Sequence, residues 1–181
     1  MNTLDLLLVL GGQVADILKM LLSRKITKDE QEQVQALVQQ YNQVKEAHLQ
    51  IQSLVQQYNQ GFVRGITIGD MGELFPFCTH EGYQQAEQLY DDLVQNQVVS
   101  QTLLKLDILS VSLITQTVEE VSFASVNVAN YQQAKAYTYE IWATAYQNGT
   151  RVEHDTINCY QLVRIDNTWK MDDSEAYVKA T

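Results

Sequence analysis

The chain has 181 residues, of which 45% are hydrophobic, and this is enough for one domain with a sizeable core. Acidic residues outnumber basic ones by 22 to 12, which gives a net charge of -10 and a pI near 4.6. A surface of this charge repels a phosphate backbone and argues against a nucleic-acid partner. The two cysteines, Cys78 and Cys159, lack metal-ligand spacing. We therefore expect a reduced, cytoplasmic protein with neither a metal site nor a cofactor.

Residues 4–22 form an apolar segment that is predicted to be an amphipathic helix. Asp5, Asp16 and Lys19 fall on one narrow stripe, and leucine, isoleucine and valine cover the remaining surface. We expect this helix to pack on a neighbouring helix or on a second subunit. The alternative is an anchor at a membrane surface. It is disfavoured because such anchors usually carry lysine and arginine on the polar face, whereas this face carries two aspartates.

A long helix is predicted from about Lys28 to Arg64, and Thr27-Lys28-Asp29-Glu30 has the spacing of a capping box at its start. Apolar or aromatic residues, with one histidine, then recur at alternating steps of three and four: Val34, Leu37, Tyr41, Val44, His48, Ile51, Val55, Tyr58 and Phe62. Such a helix would be roughly 50 Å long, more than a small domain covers by itself. We therefore assign residues 1–46 to a helical N-terminal extension and residues 47–181 to the main domain.

The second half of the chain is predicted to change from helix to strand. Thr79 has the position of an N-cap for a helix that extends to about Gln97. From Leu103 the apolar period becomes two, which indicates strands, with a bulge near residues 109–110. Another strand is predicted over residues 121–128, and a Tyr-rich strand follows it.

Two turns determine how the last strands pair. Residues 148–149 are Asn-Gly and are predicted to form a two-residue type I′ loop, and residues 166–167 are Asp-Asn and are predicted to form a two-residue loop. The first loop then sets Tyr139 opposite Asn158. The second continues the same face of the sheet into the last strand through Trp169.

The face defined by this pairing is predicted to lie against the helices. Its polar side chains include Tyr139, His154, Asn158, Tyr160 and Asp173. The opposite face is mixed, and apolar residues exposed there are candidates for a subunit interface. Four residues are predicted to form it: Trp142, Tyr146, Ile157 and Val163.

The order of elements and the ending Tyr160-Gln-Leu-Val-Arg-Ile-Asp-Asn-Thr-Trp169-Lys-Met171 resemble the nuclear-transport-factor-2-like superfamily of cone-shaped α+β domains, over about residues 47–177. Within that superfamily the chain is similar to the IMS-type domain at the C-terminus of cyanobacterial and plastid division proteins. The resemblance implies an α+β fold, in which an N-terminal helical hairpin or extension precedes a curved antiparallel sheet wrapped by helices. It also implies a cavity between helices and sheet, and we expect polar side chains of the helix-facing side to bind a ligand there: Tyr139, His154, Asn158, Tyr160 and Asp173.

Three functions are compatible with the sequence. The favoured one is a non-catalytic binding or scaffold protein, a homo-oligomer and most simply a dimer, that holds a partner segment or an apolar small molecule in the cavity. The first alternative is an enzyme of the isomerase, dehydratase or cyclase type, acting through His154 or Asp173. The second alternative is a membrane-associated assembly component tethered by helix 4–22.

Overall fold

A computed structural model describes residues 28–115 and 131–178 of the chain. The helix predicted over residues 4–22 and the strand predicted over residues 121–128 lie outside the described residues. The described part belongs to two compact units, one with residues 28–47 and the other with residues 48–115 and 131–178. The assignment of residues 1–46 to a separate extension stays a prediction.

Two α-helices precede the sheet, as the apolar spacing predicts. Helix α1 is Lys28–Ile68 and helix α2 is His80–Gln95, with a 3₁₀ helix at Gly72–Phe77 between them. In the second unit, α1 buries the residues that recur at steps of three and four: Ile51, Val55, Tyr58 and Phe62. The side chain of Thr79 caps α2 as predicted, accepting a hydrogen bond from the backbone N–H of Gly82 at 3.0 Å.

Four antiparallel strands form one curved sheet in the order β1-β2-β3-β4, so the fold is α+β as the sequence predicts. The strands are β1 (Val98–Thr115), β2 (Tyr131–Tyr146), β3 (Arg151–Ile165) and β4 (Thr168–Val178). The predicted bulge near residues 109–110 is present, because the β1–β2 register shifts between Ile108 and Ser110. Further irregularities occur along β1, and each bends the strand locally.

The predicted two-residue loop between β3 and β4 is present, because Ile165 pairs with Thr168. Asp166 and Asn167 both have positive φ, 48° and 64°, which is what a type I′ loop requires of its two central residues. Arg164 consequently pairs with Trp169, and Trp169 is buried with an exposed fraction of only 4%.

The turn between β2 and β3 is not the predicted one. Gly149 has a φ of 83°, but Asn148 does not have positive φ, so the loop is not type I′. The N–H of Gly149 donates to the carbonyl of Tyr146 at 3.0 Å, and the N–H of Tyr146 donates to the carbonyl of Thr150 at 2.9 Å. These bonds define a three-residue loop in which a glycine in the left-handed region follows a tight turn. As a result, Tyr139 pairs with Ile157 and not with Asn158.

This shift of one residue reverses which side of β2 faces the helices, because successive side chains of a strand point to opposite faces. We call the helix-facing side of the sheet the inner face and the other side the outer face. Thr138, Glu140 and Trp142 share the inner face with Asn158 and Tyr160, and all five are buried. The predicted inner-face position of Tyr139 was therefore wrong, as was the outer-face position of Trp142.

The N-terminal end of helix α2 is hydrogen-bonded to β4. The N–H of Thr79 donates to the carbonyl of Met171 at 2.8 Å, and its hydroxyl donates to the Asp172 carboxylate at 2.8 Å. Gly82 faces the same backbone so closely that a Cβ atom would lie 2.3 Å from the Met171 carbonyl oxygen. Only glycine at this position allows α2 to lie so close to the strand.

The three-residue loop can be tested by replacing Gly149 with alanine. Because a residue with a Cβ atom is strained at positive φ, we expect Gly149→Ala to lower the free energy of unfolding by about 1 kcal/mol. Urea denaturation measures the change, and Gln147→Ala, an exposed position in the same loop, is the control. Equal stability of the two variants would contradict the left-handed conformation at Gly149.

Candidate functional site

A cavity of about 450 Å³ lies between the inner face of the sheet and the helices of the second unit. It is open to solvent and is lined by the part of α1 around Tyr58 and Phe62, by one side of α2, and by residues of all four strands. Aromatic rings form much of its wall. Tyr58 meets Tyr160 edge to face at 5.9 Å between ring centroids, and stacks on Phe62 at 6.3 Å.

Glu140 is the central polar group of the cavity wall. Its side chain is completely buried, yet its carboxyl group accepts four hydrogen bonds. Oε1 accepts from the hydroxyls of Thr138 at 2.8 Å and Tyr160 at 2.7 Å. Oε2 accepts from the indole N–H of Trp142 at 2.8 Å and from the side-chain amide of Asn158. All four partners donate to Glu140 in this arrangement, which is the hydrogen bonding that suits an ionised carboxylate.

A second layer of hydrogen bonds connects Glu140 to helix α1. The side-chain amide of Asn59 donates to the Tyr160 hydroxyl oxygen at 2.9 Å and to the backbone carbonyl of Val55 at 3.1 Å. The Tyr160 hydroxyl is then free to give its own proton to Glu140. Because Asn59 is 98% buried, this chain of bonds fixes the Tyr160 ring relative to both α1 and β2.

The cavity has a negative electrostatic character. Its lining includes Glu140 and Asp92, and none of the described residues that line it is a lysine or an arginine. Burial, together with the nearby charge of Glu140 and the hydrogen bond to it, raises the pKa of the Tyr160 hydroxyl well above its usual value. Burial also raises the pKa of Tyr58. Both phenols are therefore neutral at ordinary pH, and that of Tyr160 donates to Glu140.

Three of the predicted ligand-binding residues, His154, Asn158 and Tyr160, line the cavity. Tyr139 does not, because the register of the first hairpin places it on the outer face. There its hydroxyl donates to Asp155 at 3.2 Å, and the ammonium group of Lys105 lies 5.4 Å from its ring centroid.

Asp173 also lies outside the cavity lining. The β3–β4 register shifts between Gln161 and Leu162, so that Asp173 pairs with Gln161 and Ser174 lies opposite Tyr160. The Asp173 carboxylate accepts hydrogen bonds from the side-chain amides of Gln85 at 2.5 Å and Gln161 at 2.9 Å.

The four residues predicted to form a subunit interface do not share one face. Trp142 is buried in the cavity wall, where it donates to Glu140. Tyr146 lies at the end of β2, four residues after Trp142 and therefore on the same side of the strand, and it is partly buried. Ile157 and Val163 lie on the outer face, and Ile157 is 39% exposed. An interface through Ile157 and Val163 stays a prediction.

Glu140 is not among the predicted site residues, although the sequence contains a signal for it. Glu140 interrupts the middle of a strand between Thr138 and Trp142, two residue types whose side chains can donate to a carboxylate at the spacing of one strand face. A charged residue at the centre of a long strand is expected either on a solvated face or with several donors around it.

No group of three or more His, Cys, Asp or Glu side chains within the described residues is arranged to hold a metal ion. Cys78 and Cys159 are both buried and form no disulfide, and burial raises the pKa of the Cys78 thiol to about 12. In the described part of the chain, every helix is too short or too polar to cross a membrane.

Comparison with solved structures finds several chains that align with this one. The intermembrane space region of the chloroplast protein ARC6 aligns with a TM-score of 0.54 at 13% identity, covering 71% of this chain and 95% of that one. A protein of unknown function with a cystatin-like fold from Nostoc punctiforme aligns with a TM-score of 0.44 at 12% identity, covering 73% and 90%. No protein-family model and no curated protein matches the chain.

At this level of identity the match to ARC6 shows a shared fold and nothing about activity. It supports the predicted likeness to the IMS-type domain, whereas membership of the nuclear-transport-factor-2-like superfamily is not confirmed.

The buried phenols predict how stability depends on alkaline pH. A hydroxyl whose pKa is raised in the folded state contributes fully below the unfolded-state pKa of about 10, and its contribution is lost as the pH rises towards the folded-state value. We expect the wild-type protein to lose about 1.4 kcal/mol more unfolding free energy than Tyr160→Phe between pH 8 and pH 11.

Urea unfolding at the two pH values measures this difference, and Tyr90→Phe, at a partly exposed position on α2, is the matched control. If Tyr160→Phe and the wild type lost stability in parallel, the buried position of the Tyr160 hydroxyl beside Glu140 would be wrong.

Proposed function

We propose that this protein is a non-catalytic binding protein that holds a ligand or a segment of a partner in the cavity of the second unit. The observation that carries the proposal is the environment of Glu140. A general base needs a free lone pair within reach of the proton that it removes. Both carboxyl oxygens of Glu140 already accept two hydrogen bonds each, so this group is better suited to hold the cavity wall in place than to take up a proton.

The alternative catalytic residues have less support. His154 lies on the cavity wall, but in the part of the chain that the structure describes no carboxylate is hydrogen-bonded to its ring, which is the usual way to orient a catalytic histidine. Asp173 is outside the cavity lining, and both of its oxygens accept from glutamine amides. An enzyme acting through either residue is therefore less compatible with the geometry.

The size and construction of the cavity support binding. A volume of about 450 Å³ lies within the range of small-molecule sites, and the wall combines aromatic rings with a few polar groups, as such sites do. Two of those rings, Trp142 and Tyr160, are held by hydrogen bonds to Glu140. A wall that is already ordered loses little conformational freedom when a ligand enters, and this favours affinity.

The proposal is tested by titrating the ¹⁵N-labelled protein with three neutral probes, indole, p-cresol and cyclohexanol. We expect amide resonances of residues around the cavity to shift, with dissociation constants in the millimolar range typical of fragments. Leu93 lines the cavity, whereas the next residue, Val94, does not and is 50% exposed. Leu93→Trp should weaken binding at least about tenfold by filling the cavity, and Val94→Trp should leave it unchanged.

Shifts that map away from the cavity would contradict the proposal. So would binding that is equally strong in the Leu93→Trp and Val94→Trp proteins.

A further inference from the structure

The charge of Glu140 is not neutralised by the groups that surround it. Thr138, Trp142, Asn158 and Tyr160 all donate hydrogen bonds to it, and all four are neutral. None of the described residues that line the cavity is a lysine or an arginine, and His154 is the one lining side chain there that can become cationic. The cavity thus contains a buried negative charge without a permanent positive partner in its wall.

Other features of the wall add to the attraction for a cation. Asp92, which is exposed to solvent, contributes a second carboxylate to the lining. Four aromatic side chains also line the cavity, and the negative faces of such rings attract cations. These are Tyr58, Phe62, Trp142 and Tyr160. An anionic ligand, by contrast, would meet two carboxylates and gain no compensating charge from the wall.

We propose that the cavity binds an organic ammonium group on a short apolar stem. This inference rests on the proposed binding function and names the chemical class of its ligand. The ammonium group would lie near Glu140 and the aromatic rings, and the stem would contact the apolar part of the α2 wall at Leu89 and Leu93. The group can be supplied by a free amine or by a lysine side chain on a partner segment, since the wall offers the same chemistry to both.

Matched pairs of probes separate charge from shape. Choline and 3,3-dimethylbutan-1-ol have almost the same shape, but only choline is charged. We expect choline to bind about tenfold more tightly in an amide-shift titration at pH 7 and low salt. Nα-acetyl-lysine methylamide and its Nε-acetylated form provide the same comparison for a lysine side chain. The pair in which the charged compound binds more tightly than the neutral one identifies the source of the ammonium group. Butyrate is the anionic probe and should bind more weakly than n-butanol.

Two acidic positions on α2 provide a matched pair of variants. Asp92 lines the cavity, whereas its neighbour Asp91 is exposed and does not. Asp92→Asn should reduce the preference for choline over its neutral analogue about two- to threefold, and Asp91→Asn should leave it unchanged. Glu140→Gln should abolish most of the preference. Asp92→Asn tests the inference independently, should Glu140→Gln fail to fold.

Equal affinity for choline and its neutral analogue, together with equal affinity for both lysine compounds, would overturn the inference. Tighter binding of butyrate than of n-butanol would do the same. In both cases binding of the neutral probes would leave the proposed function intact. Loss of all binding, neutral probes included, would overturn the proposed function itself.

Discussion

The burial of one carboxylate constrains the rest of this structure. Glu140 has no exposed surface, and moving an ionised carboxylate out of water is costly unless its oxygens are fully hydrogen-bonded. Four donors meet that requirement, two at each oxygen. Hydrogen bonds to a charged group contribute on the order of 1.5–3 kcal/mol each, more than bonds between neutral groups. Loss of a single donor would leave a lone pair of the buried carboxylate without a hydrogen bond. The burial of Glu140 therefore requires all four donors to be in place.

The same requirement links separate elements of the second unit. Thr138, Glu140 and Trp142 belong to β2, Asn158 and Tyr160 belong to β3, and Asn59 extends the bonds to α1. These bonds connect α1 to the sheet in the wall of the cavity. On the other side, Gly82 allows the first turn of α2 to approach β4 closely. The first turn of α2 therefore packs directly on β4, whereas the cavity lies farther along α2, where Glu140 forms part of its wall.

Much of the fold could be predicted from the sequence, and the candidate site could be predicted only in part, for reasons that lie in one loop. The two described helices, the bulge near Leu109 and the two-residue turn at residues 166–167 follow from local patterns that have one interpretation. The pair Asn148-Gly149 has two interpretations, since Asn-Gly fits both a two-residue loop and the end of a three-residue loop. The choice between them reverses the faces of β2. The apolar pattern of β2 could not reveal the correct loop, because the outer residues Tyr137, Tyr139 and Ile141 are more apolar than the inner residues Thr138 and Glu140. The predicted side was correct for His154, Asn158 and Tyr160, because the same residues of β3 face the helices in either register.

The state of the Trp142 indole tests this account most directly. The chain has two tryptophans, so its NMR spectrum contains two indole N–H resonances, which Trp142→Phe assigns. If Trp142 donates to a carboxylate, its indole proton should lie downfield and exchange slowly with solvent. In Glu140→Gln it should move upfield and exchange faster, while the Trp169 resonance stays in place. A Trp142 resonance with the same shift and exchange rate in both proteins would contradict the central role given to Glu140.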